Sequence, residues 1–360
     1  MTYPKAGSSN EMLGEQGAAL VNKCLAFNSG SGISTMMIMR NIEDDGGVPF
    51  SSAGNFGATL GFTCPPENAA RLAPLLATEC SFEKWDVRDA KALASIEVEE
   101  AKKSAQCVLT ENIFAAAFGP QSAAGRPYYS AGSVSTEAIK SFRRRNYGIN
   151  GAILAATGVS DHAAFVKQLE EGLSASPAGS PDAPAAFTYL GGESRVAVSG
   201  GSYAHVALAF DGTSVSAPML NVIKKVFQIS GAEVGAQAFA TTNLVGLYGG
   251  GAGGSIVDGL CDAVTKAGPN LVKRAKVLAK AEALFALDDG SKSLTSAMTA
   301  SVLENGTFTG ATGVAAAYDA ISDKEVEASV VAMFKKKPTL AAVGDITSVP
   351  YLGSIASRFS

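Results

Sequence analysis

Asn22, Lys23 and Cys24 follow one another inside GAALVNKCLAFNSG (residues 17–30), an apolar-striped stretch whose spacing predicts one helix ending at Gly30. An amide, an amine and a thiol together on a helix are residue types an enzyme keeps at a working site. Histidines are the next place to look, and the chain has two, His162 and His205. They stand in different halves, one opening a helical pattern and one inside a strand pattern, and neither has a second ligand at helical spacing. Structural roles are the simpler expectation for both. Gly249, Gly251 and Gly254 satisfy GxGxxG between a possible strand and a possible helix, the arrangement that brings backbone N–H groups up to a phosphate. No second strand ending in an acidic residue follows ~20 residues on, as a dinucleotide fold requires. PNLVKRAKVLAKAEAL is helical there, so a mobile or tightly turning glycine connection is expected.

Gly212-Thr213-Ser214-Val215-Ser216-Ala217-Pro218 resembles the nucleophile turn of subtilisin-type proteases. A nucleophilic serine needs a histidine base and an orienting acid. Nothing upstream matches the family's His-Gly-x-His element, and His205 sits on the strand just before Ser214. The alternative is a strand-to-helix turn, with Ser214 or Ser216 as cap and Pro218 in the first helical turn.

The elements that must carry these residues come from a globular chain of 360 residues, 47% hydrophobic and 17% charged, long enough for two domains. A formal charge of −4 and a pI near 5.4 leave no footprint for a polyanion. The basic triplets Arg143–Arg145 and Lys335–Lys337 each follow an apolar helical pattern, where cations suit a helix C-terminus. Five cysteines (Cys24, Cys64, Cys80, Cys107 and Cys261) form no CxxC and no even framework, which predicts free thiols in a reducing compartment. No segment offers the ~20 apolar residues of a membrane span; Leu244 to Leu260 is interrupted by glycines and Asp258. MTYPKAGSSNE has neither the apolar core of a signal peptide nor the arginines of a transit peptide.

LSASPAGSPDAPAAF, residues 173 to 187, resists helix and strand and reads as a linker. Each side of it ends in the same grammar. A capped helix closes on a basic triplet, an apolar strand follows (GAILAATG, TLAAVGD), and a turn leads to a final helix. Ser322 with Glu325 fits a capping box, and Ser135 or Thr136 caps the first copy. Two related α/β domains are therefore expected, over residues 1–172 and 189–360, joined by a linker at 173–188. Further elements expected are a helix through Met36, Met37, Met39 and Ile42 capped by Gly46, two strands in VPFSSAGNFGATLGFTC, and one long helical run from Asp86 to about Phe118. SRVAVSGG and YAHVALAFDG read as strands and SAPMLNVIKKVFQI as a helix.

GAALVNKCLAFNSG followed by IEDDGG resembles the pitrilysin-like zinc peptidases, above all the mitochondrial processing peptidase group. Those enzymes carry Gly-x-Ala-His-x-x-Glu-His on this helix, then a Phe, a Gly, and Ile-Glu before paired glycines. Gly17, Ala19, Phe27, Ile42, Glu43, Gly46 and Gly47 fit that frame. The chemistry does not. The histidine positions fall on Leu20 and Cys24, the glutamate on Lys23, and a third ligand falls near Glu97 in SIEVEEAKK. One carboxylate does not hold zinc, and Lys23 puts a cation where a base must take a proton from metal-bound water. LTENIFAAAF, GVSDHAAFVKQLEEGL, AHVALAF, NLVGLYG and LAAVGDITSVPYLGSI extend the resemblance over most of the chain, toward the core subunits of mitochondrial ubiquinol–cytochrome c reductase (respiratory complex III).

The resemblance implies an α+β protein of two homologous processing-peptidase-like (LuxS/MPP-like) domains, each a mostly antiparallel sheet backed by helices. It implies an inactive metallopeptidase homologue with no catalytic, cofactor or metal site, Leu20, Lys23, Cys24 and Glu97 marking degenerate positions. Its implied setting is the matrix face of the mitochondrial inner membrane, peripheral and without a transmembrane helix, in a dimeric respiratory complex. The implied partners are core protein 1, cytochrome b, the c-type cytochrome subunit and the Rieske protein, with no nucleic acid. No haem or iron–sulfur ligation pattern occurs. The alternative within the family is a non-catalytic presequence-binding subunit of a processing peptidase. Two departures bear on this. Family domains open with strands well ahead of the site helix, which begins here near residue 15, so the first strands are expected to be missing, truncated or supplied elsewhere. The glycine-rich loop of presequence-binding α subunits lies between the helix ending near Phe227 and the strand near Ala236, where this chain has only QISGAEVGA. GGGAGG comes after the next strand instead, which weighs against presequence binding.

Overall fold

The computed structural model describes residues 1–28, 32–77, 82–130, 134–174, 176–179, 187–198, 203–241 and 243–359. Gly30, Cys80 and, within the expected linker, residues 175 and 180–186 lie outside them. Helices in chain order are α1 (Ala18–Cys24), α2 (Thr35–Asp44), α3 (Ala69–Leu72), α4 (Lys84–Lys103), α5 (Ala105–Phe118), α6 (Thr136–Asn146), α7 (His162–Leu173), α8 (Ala217–Gly231), α9 (Gly253–Thr265), α10 (Pro269–Asp288), α11 (Ser291–Asn305), α12 (Gly310–Asp319), α13 (Asp323–Phe334) and α14 (Leu352–Ala356). Strands are β1 (Thr2–Tyr3), β2 (Val48–Ala53), β3 (Ala58–Thr63), β4 (Glu193–Ala197), β5 (Ala204–Asp211), β6 (Gln237–Ala240), β7 (Leu244–Gly251) and β8 (Thr339–Gly344). The protein is thus α+β, as expected.

The chain forms two compact units. The first comprises Met1–Ala101, Arg126–Ala186 and Asp289–Leu303, the second Lys102–Gly125, Phe187–Asp288 and Glu304–Ser360. Helix α5 precedes the expected linker in sequence yet belongs to the second unit, because its apolar residues pack on β4, β5 and β8.

The first unit holds an antiparallel sheet in the order β1-β3-β2. Tyr3, Leu20, Leu25, Ile38, Ile42, Leu60, Ile139 and Phe142 are its core. Each such side chain contributes roughly 1.5–3 kcal/mol on leaving water. Ala94 and Val98 continue a buried stripe from Val87 and Ala90 along α4. Gly47 explains one member of the IEDDGG frame: a Cβ there would lie 2.7 Å from Ile42 Cγ2, so only glycine lets β2 start against α2.

The second unit holds a five-stranded sheet, β4-β8-β5-β7-β6, antiparallel except for the β4–β8 pair. β8 is buried along its whole length. Phe210, Phe227, Phe334 and Phe359 cluster at one end with ring separations of 5.2–6.2 Å. Ser322 and Glu325 form the expected capping box on α13.

Three expectations are corrected. The helix read across residues 17–30 is only α1, because Leu25–Phe27 turn away and Phe27 takes a left-handed φ of 61°. The run from Asp86 to Phe118 is two helices, broken where Ser104 leaves helical geometry and accepts from Cys107 N. GAILAATG is not a strand: Ile153 alone bridges to Thr2, and among the described residues nothing pairs with the residues after it. Its counterpart TLAAVG is β8, flanked on both sides.

Candidate functional site

Glu11, eight residues ahead of Ala19, starts the site. Its Oε1 accepts from Ala19 N at 2.9 Å, and Gly17 at φ 88° turns the chain into α1. This carboxylate sits on the orphan amides of a helix start, where negative charge is favoured. Burial nevertheless dominates and pushes its pKa up to about 7. The signal was present in the sequence as an acidic residue shortly before an apolar helix, and the sequence reading passed over it.

On α1, Leu20 is fully buried in the core. Asn22 is also fully buried and donates to Ala18 O at 2.9 Å and Ile139 O at 3.2 Å, which ties α1 to α6. At the next residue, Lys23 Nζ meets Glu97 Oε1 at 2.6 Å, and Cys24 Sγ lies 3.8 Å from the same oxygen. Glu97 projects beside the Ala94–Val98 stripe of α4, which sets it opposite α1. The structure therefore brings together Lys23, Cys24 and Glu97, all three polar positions of the degenerate motif, and keeps Leu20 as packing. Burial, helped by the Glu97 charge, pushes the Cys24 thiol up to about 11, so it stays protonated near neutrality. The Tyr128 hydroxyl is raised above its ordinary range, chiefly by burial and then by Tyr147, Glu97 and Cys24.

These groups do not fit a zinc ion. Lys23 brings a cation within hydrogen-bond reach of the one carboxylate, Cys24 offers a thiol rather than a thiolate, and Leu20 offers no donor. Nor do they fit nucleophilic catalysis, since Glu97 is engaged by an ammonium and no imidazole adjoins Cys24 among the described residues. What the arrangement does is hold α1 to α4 by a half-buried ion pair.

The other sequence candidates separate. His205 Nδ1 bonds Tyr248 OH at 3.0 Å across β5 and β7, and so is engaged away from Ser214. Asp211 Oδ1 receives Thr213 N and Oγ1, and its Oδ2 receives Lys336 Nζ. Burial opposes the Asp211 charge, and these bonds outweigh it, holding the carboxyl below its usual range. Ser216 is the residue ahead of α8, with Pro218 in its first turn, so the Gly212–Pro218 stretch is a strand-to-helix turn. His162 begins α7 behind the cap residue Asp161, which accepts from Ala164 N. The glycines of GxGxxG make no loop. Gly249 and Gly251 are β7 residues opposite Val206 and Ala204, and a Cβ on Gly249 would strike Ile256 of α9 at 2.8 Å. The Gly254 amide at the start of α9 already bonds Ser348 Oγ. Among the described residues no helix is long and apolar enough to cross a membrane.

No family profile matches the chain. Curated relatives do. The α-2 subunit of the mitochondrial processing peptidase of Dictyostelium discoideum is 24% identical over 398 residues, covering 99% of this chain and 88% of the relative. The α subunit of the Solanum tuberosum enzyme is 25% identical over 419 residues, covering 99% and 80%. Among solved structures, a chain of complex III2 from Candida albicans with Inz-5 bound has a TM-score of 0.82 at 16% identity, covering 99% of this chain and 93% of that one. This likeness is one of fold.

Proposed function

We propose that this chain, a relative of the processing-peptidase α subunits with the fold of a complex III chain, is a non-catalytic core subunit of respiratory complex III, of the core 2 type. It pairs with core protein 1 on the matrix side of the mitochondrial inner membrane and works through buried interface rather than chemistry. One observation carries this reading. The peptidase helix keeps its packing residues while Lys23 is clamped to Glu97 in place of the general base and metal ligand. A scaffold retained without its reactive groups serves assembly.

The test is gentle detergent extraction followed by native electrophoresis. Co-migration with b- and c-type haem and with a core 1 polypeptide is the expected outcome. Migration as a free monomer overturns the assignment.

A second reading is favoured by the curated relatives, which are named as α subunits of the processing peptidase. It makes the chain a presequence-holding partner that does not cut. Presequences are basic and amphipathic, so this reading expects salt-sensitive binding of such a peptide. Against it stands the short passage from α8 to β6, where Ala232–Val234 and Gly235 leave no room for a glycine-rich loop.

A further inference from the structure

We propose that the outward face of α10 is a self-association surface, on which a second copy of this chain docks its own α10, antiparallel about a two-fold axis through Ala281. This does not depend on the assignment to complex III.

Helix α10 carries apolar residues on two opposite faces. Val272, Ala275 and Ala279 join the core of the second unit, as the inner stripe of an amphipathic helix does. On the far side Val277, Leu278 and Phe285 are 68%, 41% and 72% exposed. With about 100° of turn per residue, these three lie within about 60° of the line through Arg274, Ala281 and Asp288, which are spaced at heptad intervals. The charges of α10 divide in the same way. On either side of Ala281, Glu282 takes Lys224 and Lys225 of α8 at 3.4 and 2.9 Å, and Lys280 meets Asp319 of α12 at 2.6 Å. Arg274 and Asp288, at the two ends of the outward face, are exposed and form no ion pair among the described residues.

This pattern selects the occupant. A two-fold interface must be its own complement, and the outward face of α10 is. With two antiparallel copies centred on Ala281, Arg274 of each faces Asp288 of the other, and Leu278 of each lies beside Phe285 of the other. Ala281 meets its own copy, and its single methyl group lets the helix axes approach to the roughly 8–10 Å of close helix packing. A parallel pair would set Arg274 on Arg274 and Asp288 on Asp288, so the charges also fix the direction. A single helix pair about 21 Å long is smaller than a standard interface, so association is weak and depends on concentration.

The test is sedimentation velocity on the full chain from about 1 μM to about 300 μM, a range that spans weak interfaces. The wild-type chain is expected to pass from monomer to dimer across it. Arg274→Glu puts like charges together at both ends of the helix pair and should raise the dissociation constant at least about tenfold, and Asp288→Arg should do the same. An equimolar mixture of these two variants should dimerise about as well as wild type, because each then supplies the charge that the other lacks. That recovery also shows that both variants are folded. Phe285→Ser should weaken the dimer while leaving Tm unchanged. A chain that stays monomeric throughout overturns the proposal in favour of another polypeptide as occupant. A dimer indifferent to the single charge reversals overturns it too, since that dimer forms elsewhere, and so does a mixture of the two variants that remains monomeric.

Discussion

Lys23 does for Glu97 what a metal ion does for a ligating carboxylate: it neutralises the charge and fixes the orientation. It cannot polarise water or accept a proton. Chelator or added zinc should therefore move the Tm of the purified chain by less than about 1 °C, since a ligand without a site gives no linkage; a dose-dependent rise with zinc would contradict this. Glu11 is the residue with a pH signature. Its folded pKa of about 7 lies above the unfolded value near 4.5, so its contribution is fully present below about pH 4.5 and is lost as the pH rises through 7. Glu11→Gln keeps an acceptor for Ala19 N without the charge. The variant should match the parent near pH 4.5 and exceed it by roughly 2–3 kcal/mol at pH 8.5 in denaturant titrations. Glu97 was legible from the resemblance to the zinc-peptidase motif, whereas Tyr128 was not, because its nearness to Cys24 and Glu97 depends on how the chain after Arg126 folds back.

Among the elements, strands and caps followed their local signals and interruptions did not. VPFSSAGNFGATLGFTC carries alternation and a turn, and it forms β2 and β3 as read. Pro49 is tolerated there because β2 is an edge strand. Ser104 looked like one more small residue in a helical run, and its capping bond to Cys107 shows only in three dimensions. The GAILAATG segment had every local mark of a strand, but a strand is made by its neighbours, and the described residues supply only Thr2. Gly246 marks the opposite case, in which packing decides. A Cβ there would lie 2.1 Å from Leu208 O on the neighbouring strand. Gly246→Ala should cost about 3 kcal/mol, read as a lower denaturant midpoint, by forcing β5 and β7 apart.

At the scale of the whole molecule, two stretches of the sequence end alike, with capped helix, basic triplet, apolar hexad and glycine, but only the second hexad forms a strand. The grouping of Lys102–Gly125 with the second unit was not readable, since nothing local in α5 says which sheet it covers. The units also differ in how completely their sheets are bonded, five strands against three. Native-state hydrogen exchange should find the slowest amides in β5, β7 and β8, with those of β3 opening at lower free energy; equal protection in both sheets would run against that. The strand order adds a temporal consequence. β8 occupies an interior position between β4 and β5, yet in the chain it follows β4, β5, β6 and β7. A ribosome delivers that strand after the four it joins. Until then β4 and β5 lack the strand that joins them, and the nascent polypeptide holds an apolar, half-built layer that a chaperone must shield.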